Sequence, residues 1–284
     1  MKIVHVCAGW EENNGAAQIA RLIMAEQAGW GHETTARIWA SARELVAADE
    51  VWIHCAWKPC LWWAALWGKR VKWVPEASYD PIRLKYHGWK KFLAGPVERW
   101  ALRRAECVIA TCEAEAGWIR RYEPKVKRVE VTDIKRFFRL GSDPAERAAH
   151  VHGGQTPEQP GAPLRILYMG RAHPLKGLEY LERAVEELGN QVELKVASRV
   201  FGEEKARIWD WCQVLALPTL SDNFGLVVAE ALERGKDVIV TDGAPAWGDG
   251  EKYGGRLEYV KGFLAASGED RTEMLRSAIL RKIA

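Results

Sequence analysis

Two doubly wound α/β domains in a row are predicted by three observations. Short apolar, β-branched runs alternate with longer stretches of helical period through the first half of the chain, the signature of a parallel sheet wrapped by helices. The alternation stops at GSDPAERAAHVHGGQTPEQPGAP, residues 141–163, which is dense in Gly, Pro and polar residues and poor in large apolar ones. It then begins again at Leu164. A length of 284 residues suits two such domains. The expected division is 1–150 and 151–284.

In the first domain the strand candidates are Ile3 to Cys7, Thr34 to Trp39, Val51 to His54, Arg70 to Val74, Cys107 to Ala110 and Val126 to Val131. Helical patterns lie between them at Ala16 to Ala28, Ala42 to Ala48, Pro59 to Trp67, Trp89 to Arg104 and Glu113 to Arg121. In the second, strands are expected at Leu164 to Met169, Val192 to Ala197, Gln213 to Leu217 and Asp237 to Thr241, with helices at Leu178 to Leu188 and Leu226 to Arg234. From Arg271 to Lys282 apolar residues at Met274, Leu275, Ala278 and Ile279 draw one stripe down a last helix. It is expected to pack on a domain surface, the first domain's included.

Composition bounds the function. No stretch approaches the roughly 20 apolar residues of a membrane-spanning helix, and the apolar run after Lys2 is too short for a signal-peptide core. A cytoplasmic protein is expected. The six cysteines fall mostly inside apolar segments with no CxxC pair, which reads as buried reduced thiols. A net charge of +3 is too small to argue for nucleic acid as a partner, and none is expected. Locally, Arg83, Lys85, Lys90, Lys91, Arg99, Arg103 and Arg104 interleave with Trp89, Phe92 and Trp100. Such a basic amphipathic stretch is either a solvated helix face or a surface for anionic lipid or an anionic acceptor. Of the fifteen tryptophans, Trp52, Trp57, Trp62, Trp63, Trp67 and Trp73 crowd into one segment and read first of all as core.

The segment LALPTLSDNFGLVVAEAL, from Leu215 to Leu232, carries the chemistry. A strand stops at Pro218, a polar turn holds Asp222, Gly225 permits a close backbone approach, and a helix then starts with free N–H groups, the construction of an anion site. Asp222 and Glu230 stand eight positions apart and could bond hydroxyls at two points of one extended ligand. Upstream, ILYMGRAHPLKGL sets Arg171 and Lys176 around a loop with Gly170 and Gly177 at a helix start, two fixed cations suited to a diphosphate. The alternative is a pair of ordinary helix starts.

These two segments resemble the retaining GT-B glycosyltransferases, family 4-like, whose hallmark is an acid, seven residues and a glutamate around a Phe-Gly turn. The resemblance runs from Met1 to about Trp247 and is strongest from 165 to 245. It implies a GT-B fold, with two Rossmann-like domains facing across a cleft, and sugar transfer with retention from a nucleotide-sugar donor. By the same likeness Glu230 meets the ribose, Asp222 lies near the donor sugar, and Arg171 and Lys176 hold the phosphates; these four are the catalytic candidates. Gly170, Asn223, Phe224, Gly225 and Leu226 line the donor, as does Gly15 in the loop GWEENNGAA after the first strand. That loop lacks the GxGxxG spacing of a dinucleotide oxidoreductase.

The order of VPEASYDP, GWKK and ATCEAE resembles members that build exopolysaccharide and lipopolysaccharide. It implies a glycan or lipid-linked acceptor met by Glu76, Ser78 and Asp80, whose alternative reading is as turn formers. A cytoplasmic place, peripheral on the inner face of the membrane, is the accompanying expectation. No metal and no cofactor are expected, since cations and helix ends meet the phosphate charge. Two departures stand out. Asp222 replaces the family's glutamate, with a helix cap as its alternative role, and only fourteen residues separate Val196 from Trp211, where relatives carry further strand and helix. A nucleotide-sugar-binding, non-catalytic subunit is therefore the rival reading. A GT-B isomerase or phosphorylase would need an acid/base pair or lysine-bound cofactor that no segment supplies.

Overall fold

The computed structural model describes residues 1–11, 14–86, 88–138, 161–249, 253 and 255–283. The described chain forms two compact units, Met1–Ile134 and Lys135–Ala284. The expected boundary at 150/151, and all of 141–163 but its last three residues, lie outside the described residues.

The first unit runs β1 (Lys2–Cys7), α1 (Gly15–Gly29), β2 (Glu33–Arg37), α2 (Ala42–Ala47), β3 (Glu50–His54), α3 (Pro59–Trp67), β4 (Val71–Val74), α4 (Pro81–Lys85), α5 (Gly88–Arg104), β5 (Cys107–Ala110), α6 (Glu113–Tyr122) and β6 (Val129–Val131). Its six strands are all parallel, in the order β2-β1-β3-β4-β5-β6. The order reverses direction between β1 and β3, so their carboxyl ends, Cys7 and His54, meet at a switch point. Helix starts are written locally: Asn14 accepts from Ala16 N at 3.1 Å for α1, and Ser41 from Glu44 N at 3.2 Å for α2.

The second unit runs β7 (Leu164–Met169), α7 (Leu178–Leu188), β8 (Val192–Ala197), α8 (Gly202–Trp211), β9 (Val214–Leu217), α9 (Leu226–Glu233), β10 (Asp237–Thr241), β11 (Leu257–Val260) and α10 (Gly268–Ile283). Its sheet is also parallel, ordered β11-β10-β9-β7-β8. The chain leaves edge strand β8, passes through α8 and enters β9 on the other side of β7. The fourteen-residue gap thus holds one helix and no strand. α10 lies along α7 in its own unit, burying Leu275, Ala278 and Ile279, while Arg271 donates to Phe263 O and Leu264 O.

Several expectations shift. Thr34 to Trp39 pairs only as far as Arg37, and Ile38 and Trp39 turn out to solvent. The strand expected at Val126 to Val131 begins at Val129, because β6 has only Val108, Ile109 and Ala110 of β5 to pair with. α4, α8 and β11 are additional elements. Of the clustered tryptophans only Trp73 is core; Trp52, Trp57 and Trp62 are half-buried, and Trp63 and Trp67 are exposed. The strand beneath them is already filled by Val51 and Ile53, leaving the α3 indoles an outer face. Among the described residues no helix is long and apolar enough to cross a membrane.

Candidate functional site

The site residues of the second unit sit on two loops at the carboxyl ends of β7 and β9, latched by one carbonyl. Leu175 O accepts from Thr219 Oγ1 at 3.0 Å, Leu220 N at 2.9 Å and Ser221 N at 3.3 Å. The approach is tight enough to dictate glycine on both sides. A Cβ on Gly177, whose φ is +61°, would lie 2.1 Å from Pro218 O, and one on Gly243 would lie 1.9 Å from Thr219 O. Thr241 Oγ1 donates to the same Thr219 O at 2.5 Å, so β10 pins the turn from the other side.

The latch brings Lys176 against Asp222 as an ion pair between half-buried side chains. The other Asp222 oxygen accepts from Asn223 N at 2.8 Å, and Asp222 N donates to Gly243 O at 2.8 Å. Asp222 is not the cap residue of α9: that is Gly225, at φ +63°, which has no side chain to cap with. The first N–H groups of a helix are the ones that suit an anion. Buried Phe224 tilts against Trp247 at 5.0 Å and stacks on Phe138 at 5.7 Å, and the Trp247 indole donates to Phe224 O. The Phe-Gly turn is therefore held by packing on one side and by the glycine's left-handed backbone on the other.

Glu230, five residues into α9, is half-buried and paired with Lys205 of α8, whose Nζ lies 2.9 Å from Oε1 and 2.7 Å from Oε2. Arg171 is exposed; its carbonyl accepts from the Tyr168 hydroxyl at 3.0 Å, which shapes the loop after Gly170. Leu226 is half-buried at the first turn of α9. Arg171, Lys176, Asp222, Asn223, Phe224 and Gly225 thus share one end of the sheet, with Glu230 one helical turn further along. Lys205 was not legible beforehand, since GEEKARIWDW carries a polar pattern with one buried anchor, Trp209.

In the first unit Gly15 is the exposed first residue of α1. Ser78 donates to Pro75 O, and Asp80 caps α4 by accepting from Ile82 N at 2.9 Å, so both shape the turn that follows β4. Glu76 differs. It is buried, its backbone is left-handed at φ +56°, and Ala77, Cys55 and Trp57 in the same two loops are also at positive φ. Four such non-glycine residues at the carboxyl ends of β3 and β4 mark a strained site.

Behind Glu76 runs a buried chain of rings. His54 Nε2 lies 3.0 Å from His5 Nδ1, and His5 Nε2 lies 2.8 Å from Gln27 Oε1. With the amide oxygen accepting, His5 carries its proton on Nε2 and His54 its own on Nε2, which leaves His54 Nδ1 bare. Burial holds both imidazoles neutral: His5 is lowered to about 4, and His54, with His5 adding to the effect, well below the ordinary histidine value. Burial, reinforced by the charge of Glu115, raises the Glu76 carboxyl well above the usual range. Glu76 Oε1 stands 3.9 Å from the bare His54 nitrogen, beyond hydrogen-bond length. Among the described residues neither atom has a hydrogen-bond partner. Glu115 fastens the loop, accepting from Ala77 N at 2.5 Å and from Thr111 N and Oγ1 at 2.8 Å each.

The chain is similar to known proteins over part of its sequence and in its fold. Residues 25–133 match the family model described as a glycosyl transferase 4-like domain. Among solved structures, Alr3699/HepE from Anabaena, in complex with UDP-glucose, matches with a TM-score of 0.67 at 14% identity, over 99% of this chain and 90% of that chain. Sucrose-phosphate synthase from Thermosynechococcus elongatus matches with a TM-score of 0.60 at 15% identity, over 99% and 90%. WaaG, a glycosyltransferase involved in lipopolysaccharide biosynthesis, matches with a TM-score of 0.53 at 11% identity, over 99% and 90%. No curated protein matches the sequence. The fold class is that of the GT-B glycosyltransferases, two parallel-sheet α/β domains.

Proposed function

We propose that this chain transfers a sugar, with retention, from a nucleotide-sugar donor to a glycan or lipid-linked acceptor in cell-surface polysaccharide or lipopolysaccharide synthesis, working in the cytoplasm. The observation that carries the reading is the latch at Leu175 O, which holds Lys176 beside Asp222 at the foot of a helix capped by Gly225. A diphosphate suits that place: it would take over Lys176 from the Asp222 carboxylate, add Arg171, and face the start of α9. Glu230 on the next turn has the reach for ribose hydroxyls once Lys205 yields. HepE, bound to UDP-glucose, shares the fold.

The leaving diphosphate gathers charge as the glycosidic bond loosens, so fixed cations and helix dipoles act most strongly in the transition state. Catalysis in this scheme needs no metal. Asp222, freed from Lys176, is assigned to the donor sugar. On the acceptor side Glu76 is preferred to Ser78 and Asp80, whose side chains are committed to the turn. Calorimetry with a panel of nucleoside diphosphates and their sugars tests the donor, and released nucleotide with and without glycan acceptors tests transfer. Absence of heat with every nucleotide refutes the reading. A nucleotide-sugar-binding, non-catalytic subunit is the second reading, favoured by the single helix between β8 and β9. It predicts the same heats with no nucleotide released under any acceptor.

A further inference from the structure

Gln27 of α1, His5 of β1 and His54 of β3 lie in one file that ends at Glu76 in the loop after β4, and all four side chains are buried. Sugar transfer as derived above uses none of the first three. The two imidazoles meet edge to edge: Nδ1 of His5 is 3.0 Å from Nε2 of His54, while the ring centroids are 5.3 Å apart and the planes within 17°. That is the arrangement of an N–H···N bond. Its direction is set at the far end. Gln27 Oε1 can only accept, so His5 donates from Nε2 and accepts at Nδ1, and His54 donates from its own Nε2. A neutral imidazole has one proton to give, which makes Nδ1 of His54 an acceptor. An amide on α1 thus selects the tautomer of a ring on β3.

The acceptor is aimed at Glu76 by two loops that are tied together. Cys55 N donates to Val74 O at 2.9 Å, the Trp73 indole to Cys55 O at 2.7 Å, and the Trp57 indole to Ser78 O at 3.3 Å. These bonds, with those made by Glu115, hold the left-handed backbone at Cys55, Trp57, Glu76 and Ala77, strain that persists only where its surroundings over-determine it. Glu115 on α6, Arg83 on α4 and Cys55 are the other titratable groups facing Glu76. Burial and then the Glu115 charge favour the protonated acid, Arg83 opposes them, and the balance lies well above the usual carboxyl range. An ionised Glu76 beside a doubly protonated His54 would desolvate two charges, and burial already holds His54 well below the ordinary histidine value. An O–H on Glu76 supplies what His54 Nδ1 lacks. A shift of about 1 Å in the Glu76 side chain brings the two atoms, now 3.9 Å apart, to bonding length.

We propose that Gln27, His5 and His54 are positioning residues: the bare Nδ1 of His54 holds Glu76 by an O–H···N hydrogen bond, and the carbonyl oxygen of the acid then meets a hydroxyl of the acceptor. Glu76 orients that hydroxyl and is not its base, since a neutral acid accepts a hydrogen bond there without taking up the proton. The acceptor end of the assignment rests on the transfer reading. The hydrogen bond to His54 does not, and it is tested without any ligand.

The experiment labels the histidines of the full chain with nitrogen-15 and reads their ring nitrogens by NMR at neutral pH, with no nucleotide or sugar added. His5 and His54 are expected as neutral Nε2–H tautomers, with Nδ1 of His54 accepting a hydrogen bond. Glu76→Leu should move that resonance to the position of a free acceptor. Glu76→Gln, whose amide N–H can donate in place of the acid, should leave it bonded. Gln27→Met removes the group that sets the file and should give His54 as a mixture of tautomers; should it not fold, the two Glu76 variants decide alone. With an acceptor that supports nucleotide release, Glu76→Gln should hold the acceptor KM within about threefold, and Glu76→Leu should raise it roughly tenfold or more. A doubly protonated His54, an Nδ1–H tautomer, or a His54 resonance indifferent to Glu76→Leu overturns the proposal. So does an acceptor KM raised as much by Glu76→Gln as by Glu76→Leu while the tautomers stay those of wild type, because carboxylate charge would then be what the acceptor meets. Absence of transfer to every acceptor counts against the transfer reading, and the spectra still decide the hydrogen bond.

Discussion

Gly177→Ala tests whether the latch between the two loops governs nucleotide binding. Alanine at φ +61° carries a left-handed penalty of about 1–2 kcal/mol, partly offset by a less flexible unfolded chain. Its Cβ would also stand 2.1 Å from Pro218 O, where contacts under 3.0 Å are essentially never seen, so the β7 and β9 loops must separate by about 1 Å. That movement strains the three hydrogen bonds to Leu175 O, each contributing about 1 kcal/mol. The expected loss of stability is about 3–5 kcal/mol. Lys176 and Asp222 move apart with the loops, and a displacement of about 1 Å in a positioning element can reduce activity by as much as about 100-fold. Gly202→Ala is the control, since its φ is +52° but nothing lies within 4 Å of the added Cβ. It should lose about 1 kcal/mol, roughly 2–4 °C in melting temperature, and keep its nucleotide affinity. Calorimetry with nucleoside diphosphates, beside thermal unfolding of both variants, makes the comparison. Equal destabilisation by the two substitutions, with nucleotide affinity untouched in both, refutes the reasoning.

Asp222→Glu should change the ranking of donors that share one nucleotide, and Asp222→Asn, which also loses the Lys176 ion pair, should lower turnover by about tenfold or more; unchanged kinetics in both would remove Asp222 from the donor site. Turnover should survive EDTA, and loss restored by magnesium or manganese would show that phosphate charge is met by a bound cation. His5 titrates near 4 in the folded protein against 6.5 in the unfolded chain, so the unfolded state takes up the proton first on acidification. Its contribution to stability is complete above about pH 6.5 and is lost as pH falls towards 4. The stability gap between wild type and His5→Gln, measured by urea unfolding, should therefore be largest at neutral pH and shrink by about 3 kcal/mol near pH 4. A gap constant across that range contradicts a buried neutral His5.

The two parallel sheets were legible because strands buried on both faces need continuous apolar runs, and Val51 to Ile53, Val108 to Ala110 and Leu215 to Leu217 are such runs. The loops ending in Gly177 and Gly225 were legible for a related reason, since a left-handed backbone at a close approach leaves few alternatives to glycine. α8 was not, because a ten-residue polar helix with one buried tryptophan carries almost no periodicity. Nor was β11, whose four residues become a strand only by pairing with β10.

Residues far apart in the chain acquire partners only through folding. The sequence by itself determined two wound domains, the order of their strands along the chain, and the loops where cations and acids gather. Only tertiary structure decided that Leu175 O would hold Thr219, Leu220 and Ser221, that Lys205 would cover Glu230, and that Glu76 would be buried beside His54. It also decided which face of α5 meets water. Glu98 finds three donors from Trp57, Trp62 and Tyr79, and once those bonds orient the helix, Trp89, Phe92 and Trp100 have nowhere to point but outwards.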